Sequence, residues 1–358
     1  MKVLMINIIK PIKGSGDGTT EYSYQLYQKL KSKGKASVSI EYFLDKAKRN
    51  NTIGLMHVYS QMAHKAAMIA RQNYDIIHIM SHEIGSMAKL LKQNGTQARI
   101  ITTVHDTTRL EKGLHKGLLQ KSYNLIVKNN VSDALRYSDA IIFVSERARR
   151  ETLKKLGPLK VKSYVIMHGL REELFTAPIP KKRKGEFLTV GYIGSMAHHK
   201  NVIMILKAAR IAKEKGLKAR FLIYGTGFES ENLQKFKKRY NLDNVSFRGF
   251  APEDEIVGIY DSFDAFVFPS LYEGFGFHIL EAQSRGLPVI ILKNTIIPEE
   301  VKKYAIEVAD EKELIDKLKD IQKNEYKKWK QAAMAYAKKF TWRKTALSIE
   351  RAYRKYTG

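Results

Sequence analysis

Two glutamates in the second half of the sequence stand in a setting that points to ligand chemistry. Glu273 lies in a glycine-rich segment with Gly274, Phe275 and Gly276, and Glu281 follows eight residues later in a run with helical periodicity. Glycine lets a backbone approach a ligand closely, and the first amides of a helix favour an anion or a hydroxyl-rich group. A carboxylate accepts hydrogen bonds from two neighbouring hydroxyls, as on a ribose or a hexose. We therefore expect the two acids to bind different parts of one elongated ligand.

A lysine upstream of these acids is a candidate to bind an anionic group. Lys200 follows a segment that begins with Gly194 and Ser195, directly after an apolar run. Taken alone, a lysine at the start of a predicted helix is usually solvated. His198 and His199, which directly precede the lysine, are candidates to assist it.

Glycines recur in two other turns of the chain. Gly225 and Gly227 form a Gly-x-Gly turn after an apolar run, and Gly16 and Gly18 belong to a glycine-rich segment, 14–18, between the first predicted strand and helix. Taken alone, each is more compatible with a flexible turn than with a binding loop. The first segment also lacks the Gly-x-Gly-x-x-Gly fingerprint of dinucleotide-binding folds.

Single residues at two strand ends complete the set of candidates. His105 and Asp106 follow a predicted strand at 100–104, and Phe250 follows a predicted strand at 245–247. Loops at the carboxyl ends of parallel strands are where ligands of open α/β sheets bind. Taken alone, a histidine at a strand end is more often a residue with satisfied hydrogen bonds than a ligand-binding one.

Short β-rich runs alternate with helical patterns along the first half of the chain. Such alternation predicts a parallel sheet covered by helices on both faces. The helical patterns include 21–30 and 117–136, and the predicted strands are 3–7, 37–43, 75–80, 100–104, 140–144 and 161–166.

The alternation stops after residue 175 and then resumes. Ala177, Pro178 and Pro180, followed by the basic run 181–184, cannot continue either pattern and predict a linker between two domains. The second half has predicted helices at 200–215, 231–240 and 277–285, a helical region from 311 to the end, and predicted strands at 188–193, 219–224, 245–247, 265–268 and 288–292. The sequence thus predicts two Rossmann-like, doubly wound parallel-sheet domains that face a central cleft.

The order of these motifs resembles that of the retaining glycosyltransferase family 4, also called glycosyl transferases group 1. Glu273 and Glu281 match its E-x7-E signature, and Ala282 and the strand entry 286–289 fall in register with it. The resemblance covers most of the second half and, more thinly, the first. It implies the GT-B fold, with an N-terminal acceptor-binding domain at 1–177 and a C-terminal donor-binding domain at 178–340. It leaves a last helix at 341–358, which we expect to pack back towards the first domain.

The resemblance also implies roles for the candidate residues. Glu273, His105 and Lys200 correspond to catalytic positions of the family. Lys200 corresponds to the lysine of the family's phosphate loop, where a fixed cation neutralises the diphosphate leaving group. Many relatives have arginine in place of Ser195, so Lys200 is the main expected cation. The expected donor-binding residues are Gly16, Gly18, Ser195, Lys200, Gly225, Gly227, Phe250, Glu273, Gly274, Phe275, Gly276 and Glu281. Val144-Ser145-Glu146 and His168-Gly169-Leu170 are further landmarks, although relatives usually have asparagine at His168.

The implied reaction transfers a sugar from a nucleotide-diphosphate sugar, with no other cofactor. In the front-face substitution attributed to the family, the departing phosphate takes the acceptor's proton. No metal is expected, because the sequence has no metal-binding Asp-x-Asp pair, no His-Glu-x-x-His motif and no cysteine. The acceptor stays open: lipid-linked, glycan or small-molecule.

Composition limits the remaining alternatives. With 358 residues, 44% of them hydrophobic, the chain can build two cores, and without cysteine it has neither disulfides nor a thiol nucleophile. The absence of cysteine is typical of a reducing compartment, so a cytoplasmic location is expected. No apolar stretch approaches the roughly 20 residues that span a bilayer, so any membrane contact is expected to be peripheral.

The net charge of +27 is spread over both halves of the chain. It reflects either a lysine-rich composition or attraction to an anionic surface, such as a membrane contacted through 112–128 and 147–155. Nucleic acid is not an expected partner, because nothing resembles a base-reading motif. A glycosyltransferase acting on nucleic acid, a nucleotide-sugar epimerase and a non-catalytic binding module remain as alternatives.

Overall fold

A computed structural model describes residues 1–10, 18–32, 34, 36–44, 52–107, 118–180, 185–227, 230–323 and 326–357. The chain forms two compact units. The first contains residues 1–169 and 342–358, and the second contains residues 170–341.

The first unit is built on a six-stranded parallel sheet in the order β2-β1-β3-β4-β5-β6. All four residues of β3 are buried, as expected for a strand with helices on both faces. The strands are β1 Lys2–Ile9, β2 Ser37–Leu44, β3 Ile76–Ile79, β4 Arg99–Val104, β5 Ala140–Phe143 and β6 Lys162–Val165, and the helices between them are α1 Gly18–Ser32, α2 Thr52–Ala70, α3 Met87–Gln93, α4 Leu118–Tyr137 and α5 Glu146–Leu156.

The second unit repeats the plan, with a parallel sheet in the order β12-β11-β10-β7-β8-β9. Its first helix is α6 Glu173–Thr176, and its strands are β7 Leu188–Ile193, β8 Ala219–Tyr224, β9 Val245–Gly249, β10 Ala265–Phe268, β11 Val289–Leu292 and β12 Ile306–Val308. The other helices are α7 Val202–Glu214, α8 Glu231–Arg239, α9 Ile256–Asp261, α10 Phe277–Ser284, α11 Glu299–Lys302, α12 Glu311–Gln322 and α13 Lys327–Ala337. The sixth strand, β12, was not predicted: it has three residues, of which only Val308 is buried.

The last helix, α14 Trp342–Arg354, belongs to the first unit. Its apolar face packs with α1 in one core cluster, where Trp342 and Ile349 join Tyr22 and Leu26. The hydroxyl of Tyr353 contacts Nδ1 of His78 on β3 at 2.6 Å. The carboxyl-terminal segment is therefore part of the first unit's core.

The division between the units differs from the boundary at 177 that the prolines indicate. The Leu170 amide donates to the Phe340 carbonyl at 3.1 Å. The buried Arg285 side chain donates to the carbonyls of Leu174, Ala177 and Pro178 at 3.1, 2.9 and 2.9 Å. Residues 170–178 are thus bound to the second unit. The prediction differed because prolines mark irregular backbone but do not indicate which of the two units that backbone packs against. The basic run 181–184 lies outside the described residues.

None of the helices within the described residues combines the length and the apolar character needed to cross a membrane.

Candidate active site

Glycines at the ends of β7, β8 and β9 bring three loop backbones into contact. Gly225 has φ +145, and a Cβ added to it would overlap the carbonyl oxygen of Gly194. The Gly225 amide donates to the Gly249 carbonyl at 2.6 Å, and the Met196 amide donates to the Thr226 carbonyl at 2.9 Å. Glycine is therefore required at position 225 by the contact between the loops, independently of any ligand.

A buried tyrosine supports the loop that contains Ser195. The Tyr192 hydroxyl donates to the Ser195 carbonyl at 2.7 Å. Burial, together with the nearby charge of Glu273, raises the pKa of Tyr192, so the phenol remains a donor at neutral pH. The side chain of Ser195 is exposed, and its backbone carbonyl is fixed by the hydrogen bond from Tyr192.

Lys200 and Glu273 form an ion pair in the second unit. Nζ of Lys200 donates to Oε1 of Glu273 at 2.6 Å, with side-chain exposures of 16% and 12%. The ammonium also lies 5.6 Å from the centre of the Phe268 ring. A partly buried cation and carboxylate in direct contact can hold the two ends of a polar group, such as a sugar phosphate.

The loops that contain Lys200 and Glu273 are also joined by their neighbours. The Leu271 amide donates to the His199 carbonyl at 2.8 Å, and the rings of His199 and Tyr272 stack with centres 4.6 Å apart. The Glu273 amide donates to the Ile296 carbonyl at 2.8 Å. His199, predicted to assist the lysine as a cation, therefore uses its ring to join the two loops, whereas His198 is exposed.

The glycine-rich segment after Glu273 ends at the start of α10. Gly276 precedes the helix at φ +87, a left-handed conformation that suits glycine. The Phe275 ring is buried and lies 6.2 Å from Phe340. Its side chain thus contributes to packing, and a ligand at this position would meet its backbone.

Glu281 is 2% exposed and lies among polar partners. Its Oε2 accepts a hydrogen bond from the Tyr260 hydroxyl at 2.8 Å and contacts Nδ1 of His278 at 3.2 Å. Nε of Arg171 lies 3.6 Å from the other oxygen, Oε1. Burial opposes ionisation, but hydrogen bonding and charge from His278, Arg171 and Tyr260 outweigh it, and the pKa of Glu281 is lowered. The carboxylate is therefore ionised in a buried setting.

Phe250 and Gly227 lie in loops that follow β9 and β8. Phe250 is 38% exposed, which is unusual for a phenylalanine, and it follows Gly249 at φ +72. Gly227 has φ +92, and a Cβ added to it would meet the Cβ of Met196 at 3.6 Å. An exposed ring beside a glycine turn provides an apolar face for a planar group.

His105 is buried beside other aromatic residues of the first unit. Its Nε2 donates to the Met80 carbonyl at 2.9 Å, and its backbone amide donates to Nδ1 of His82 at 3.3 Å. The Tyr22 and His168 rings lie 5.0 and 5.7 Å from it. Burial, with the charge of His105, keeps the pKa of His168 well below its usual value. Gly18 is the first residue of α1, whereas Gly16 lies outside the described residues.

The charged residues predicted for the second unit thus lie in two clusters, with Lys200 and Glu273 in one and Glu281 in the other. Sequence reasoning missed Arg171, Tyr260 and His278, which surround Glu281. His278 had a signal, because it stands three residues before Glu281 on a helix and shares its face. Arg171 had none, because it reaches Glu281 only through the docking of residues 170–178.

Two glycosyltransferase family models match this chain. The family model "Glycosyl transferases group 1" matches residues 176–340, and the model "Glycosyltransferase Family 4" matches residues 38–173. The Escherichia coli O-antigen chain mannosyltransferase B is 30% identical over 282 residues, which cover 72% of this chain and 70% of that protein.

One more relative and one solved structure have names that mention a donor. The E. coli UDP-Gal:alpha-D-GlcNAc-diphosphoundecaprenol alpha-1,3-galactosyltransferase is 27% identical over 264 residues, covering 68% of this chain and 65% of that protein. The crystal structure of Anabaena HepE in complex with UDP-glucose matches 99% of this chain and 100% of its own, with a TM-score of 0.75 at 17% identity. The latter match shows a shared fold and confirms the predicted GT-B class.

Proposed function

Because this chain belongs to glycosyltransferase family 4, we propose that it transfers a hexose from a nucleoside-diphosphate sugar to an acceptor hydroxyl with retention of anomeric configuration. The ion pair between Lys200 and Glu273, at 2.6 Å, is the observation on which the proposal chiefly rests. It provides a cation for the leaving diphosphate and a carboxylate for the sugar hydroxyls within one contact.

The proposed step exchanges one bond at the anomeric carbon for another on the same face. The bond to the diphosphate oxygen breaks, the bond to the acceptor oxygen forms, and the acceptor's proton passes to the departing phosphate. Lys200 stabilises the charge that develops on that phosphate, and Glu273 positions the sugar. His105, at the family's histidine position, is assigned to the donor sugar. Because Lys200 provides the positive charge, we propose that turnover needs no divalent metal.

The rest of the donor has candidate contacts in the second unit. The exposed ring of Phe250 is assigned to the base, and the backbones of Gly225 and Gly227 to the neighbouring nucleotide. Glu281 is assigned to the ribose, since a buried carboxylate binds a vicinal diol well. The name of the E. coli galactosyltransferase and the HepE complex both mention UDP sugars, so UDP is the first nucleotide to test.

A lipid-linked acceptor is supported by the same E. coli relative, whose name contains a diphosphoundecaprenol acceptor. In this chain, α4 leaves Leu125 and Ile126 58% and 39% exposed, and α5 contains two arginine-rich and lysine-rich turns, 147–150 and 154–155. Apolar side chains with adjacent cations favour the surface of an anionic membrane. We propose that the chain works as a peripheral protein there.

The function is tested by incubating the protein with UDP-, GDP- and ADP-hexoses, with and without polyprenyl diphosphate sugar acceptors. The expected result is transfer with the donor's anomeric configuration, read by NMR, that persists in EDTA. Inversion of configuration, or loss of activity in EDTA restored by magnesium, would contradict the retaining or the metal-free part of the proposal. Donor conversion without an acceptor would identify an epimerase instead, and binding without turnover of any donor a non-catalytic module.

Sedimentation with vesicles tests the membrane part separately. Binding to vesicles with anionic lipid should exceed binding to neutral ones and decrease as salt screens the attraction. Equal binding to both kinds of vesicle, or preferential binding to duplex DNA, would contradict it.

A further inference from the structure

We propose that Arg171 is a positioning residue for the donor nucleotide, which acts by orienting the Glu281 carboxylate so that Oε1 is available to the ribose hydroxyls. This inference rests on the proposed function of Glu281 and adds a residue that lies outside every motif of the sequence. Arg171 is the second residue of the second unit.

The two oxygens of Glu281 have different surroundings. Both hydrogen bonds that described residues make to this carboxylate, from Tyr260 at 2.8 Å and His278 at 3.2 Å, end on Oε2. Oε1 has the Arg171 guanidinium at 3.6 Å, which is beyond hydrogen-bond reach but within the range of an ion pair. The arrangement therefore attracts Oε1 electrostatically and leaves it the capacity to accept from a diol.

Arg171 is itself fixed by a second carboxylate. Its Nη1 lies 3.1 Å from Oε1 of Glu253, in the loop before α9. A guanidinium is planar, so the contact at Nη1 also determines where Nε points. The adjacent residue is fixed too, because Leu170 donates to the Phe340 carbonyl at 3.1 Å and pairs with Thr341. The position of Arg171 is thus determined by backbone and side chain together.

The charge of Arg171 matters because Glu281 is buried. Burial raises the pKa of this carboxyl, and the partners that oppose burial include His278 and Arg171. An imidazole is charged only when protonated, whereas a guanidinium is charged throughout the physiological pH range. Of the two ion-pair partners that the described residues give Glu281, Arg171 is therefore the permanent one. Without it, Glu281 should take up a proton more readily and bind a diol less well.

Binding of UDP, GDP and ADP to the wild type, Arg171→Met and Arg171→Lys tests the proposal, with calorimetric titration between pH 8 and pH 6. Arg171→Met should lower the affinity for the nucleotide by about tenfold, as expected for the loss of a charged partner. Arg171→Lys keeps the charge but lacks the planar guanidinium that contacts Glu253 and Glu281 at the same time, so it should give an intermediate affinity. In steady-state assays, Arg171→Met should raise the donor KM and change kcat little.

A double-mutant cycle separates this role from a general effect on folding. In a Glu281→Gln background, Arg171→Met should change nucleotide affinity by less than about twofold, because the group through which it acts is gone. Arg210→Met, which removes an ion pair with Glu214 on α7 at 3.2 Å, is the matched control and should bind as the wild type does. Thermal unfolding of each variant verifies that it is folded.

The outcomes distinguish this inference from the function on which it rests. If the wild type binds none of the nucleotides, the proposed function fails and the inference fails with it. If the wild type binds but Arg171→Met binds equally well, or loses the same factor in the Glu281→Gln background, only the role of Arg171 is wrong.

Discussion

The amino group of Lys200 lies 2.6 Å from Oε1 of Glu273, so the cation expected to meet the donor's diphosphate is paired with the carboxylate expected to meet its sugar. The pair stands in a partly buried position, where each charge compensates the other. A donor phosphate would compete with Glu273 for Lys200, and the sugar hydroxyls would then bind the released carboxylate.

Glu273→Gln should therefore lower turnover without weakening the free nucleotide. We expect kcat to decrease by at least about tenfold, or roughly 1.4 kcal/mol of barrier, because a neutral amide positions the sugar less firmly. The affinity for the nucleoside diphosphate should stay the same or rise slightly, because Lys200 no longer has an anionic competitor. Steady-state kinetics with calorimetric titration of the nucleotide measures both, and a large loss of nucleotide affinity would contradict the role given to Glu273.

Glu281→Gln should have the opposite signature. If Glu281 binds the ribose, it holds the donor and the transition state about equally, and such uniform binding appears in KM. We expect the free nucleoside diphosphate and the sugar donor to weaken together by roughly 1 to 3 kcal/mol. An unchanged nucleotide affinity in this variant would reverse the roles assigned to the two glutamates.

Gly225→Ala should damage the loop contact between β7 and β8. The added methyl would overlap the backbone of Gly194, and φ +145 is unfavourable for alanine, so we expect destabilisation of at least about 2 kcal/mol and weaker nucleotide binding. Gly258→Ala is the control, because a Cβ at Gly258, within α9, meets nothing within 4 Å. It should be neutral or stabilising. Urea unfolding compares the two, and equal stability would show that the loops adjust.

His78→Gln should reduce the acid sensitivity of the first unit. Burial, with the charge of His105, lowers the pKa of His78 to about 3. Above pH 6.5 neither state is protonated, and below it the unfolded chain takes up a proton that the folded chain does not, so stability falls by about 1.4 kcal/mol per pH unit towards pH 3. Glutamine can still hydrogen-bond Tyr353 and Thr103, the neighbours of His78 at 2.6 and 2.7 Å, but does not titrate.

Urea unfolding at pH 7.5 and 4.5 measures this effect. The loss of stability over that interval should be smaller in the variant by about 3 kcal/mol. An equal loss in both proteins would show that His78 does not contribute to acid sensitivity.

Local pattern was sufficient to predict the strands that have continuous apolar runs. The predicted bounds 188–193, 219–224 and 265–268 coincide with β7, β8 and β10, because each strand is a mostly buried apolar run that stops before a glycine or a proline. The strand β12 has one buried residue and no such run, so its place in the sheet depends on pairing with β11.

The residues of the candidate site were predictable only where the sequence around each of them carries a local signal. The acids of the 273–281 segment and Lys200 have local signals, and the structure joins two of them in an ion pair. The role of Tyr192 under Ser195 and the position of Arg171 beside Glu281 depend on tertiary packing, for which no local pattern exists. That Lys200, Glu273 and Glu281 bind the donor remains a prediction.

The anchoring of residues 170–178 by Arg285 affects how enzymes of this kind can be recombined. The Arg285 guanidinium forms an ion pair with Asp261 at 2.7 Å and donates to three carbonyls within residues 174–178. A chimera joined at the prolines would replace residues 170–178 with a foreign segment, so the buried Arg285 would keep Asp261 but lose its three native carbonyl acceptors. The interchangeable module therefore begins at Leu170, and donor specificity should be transplanted from that residue onward.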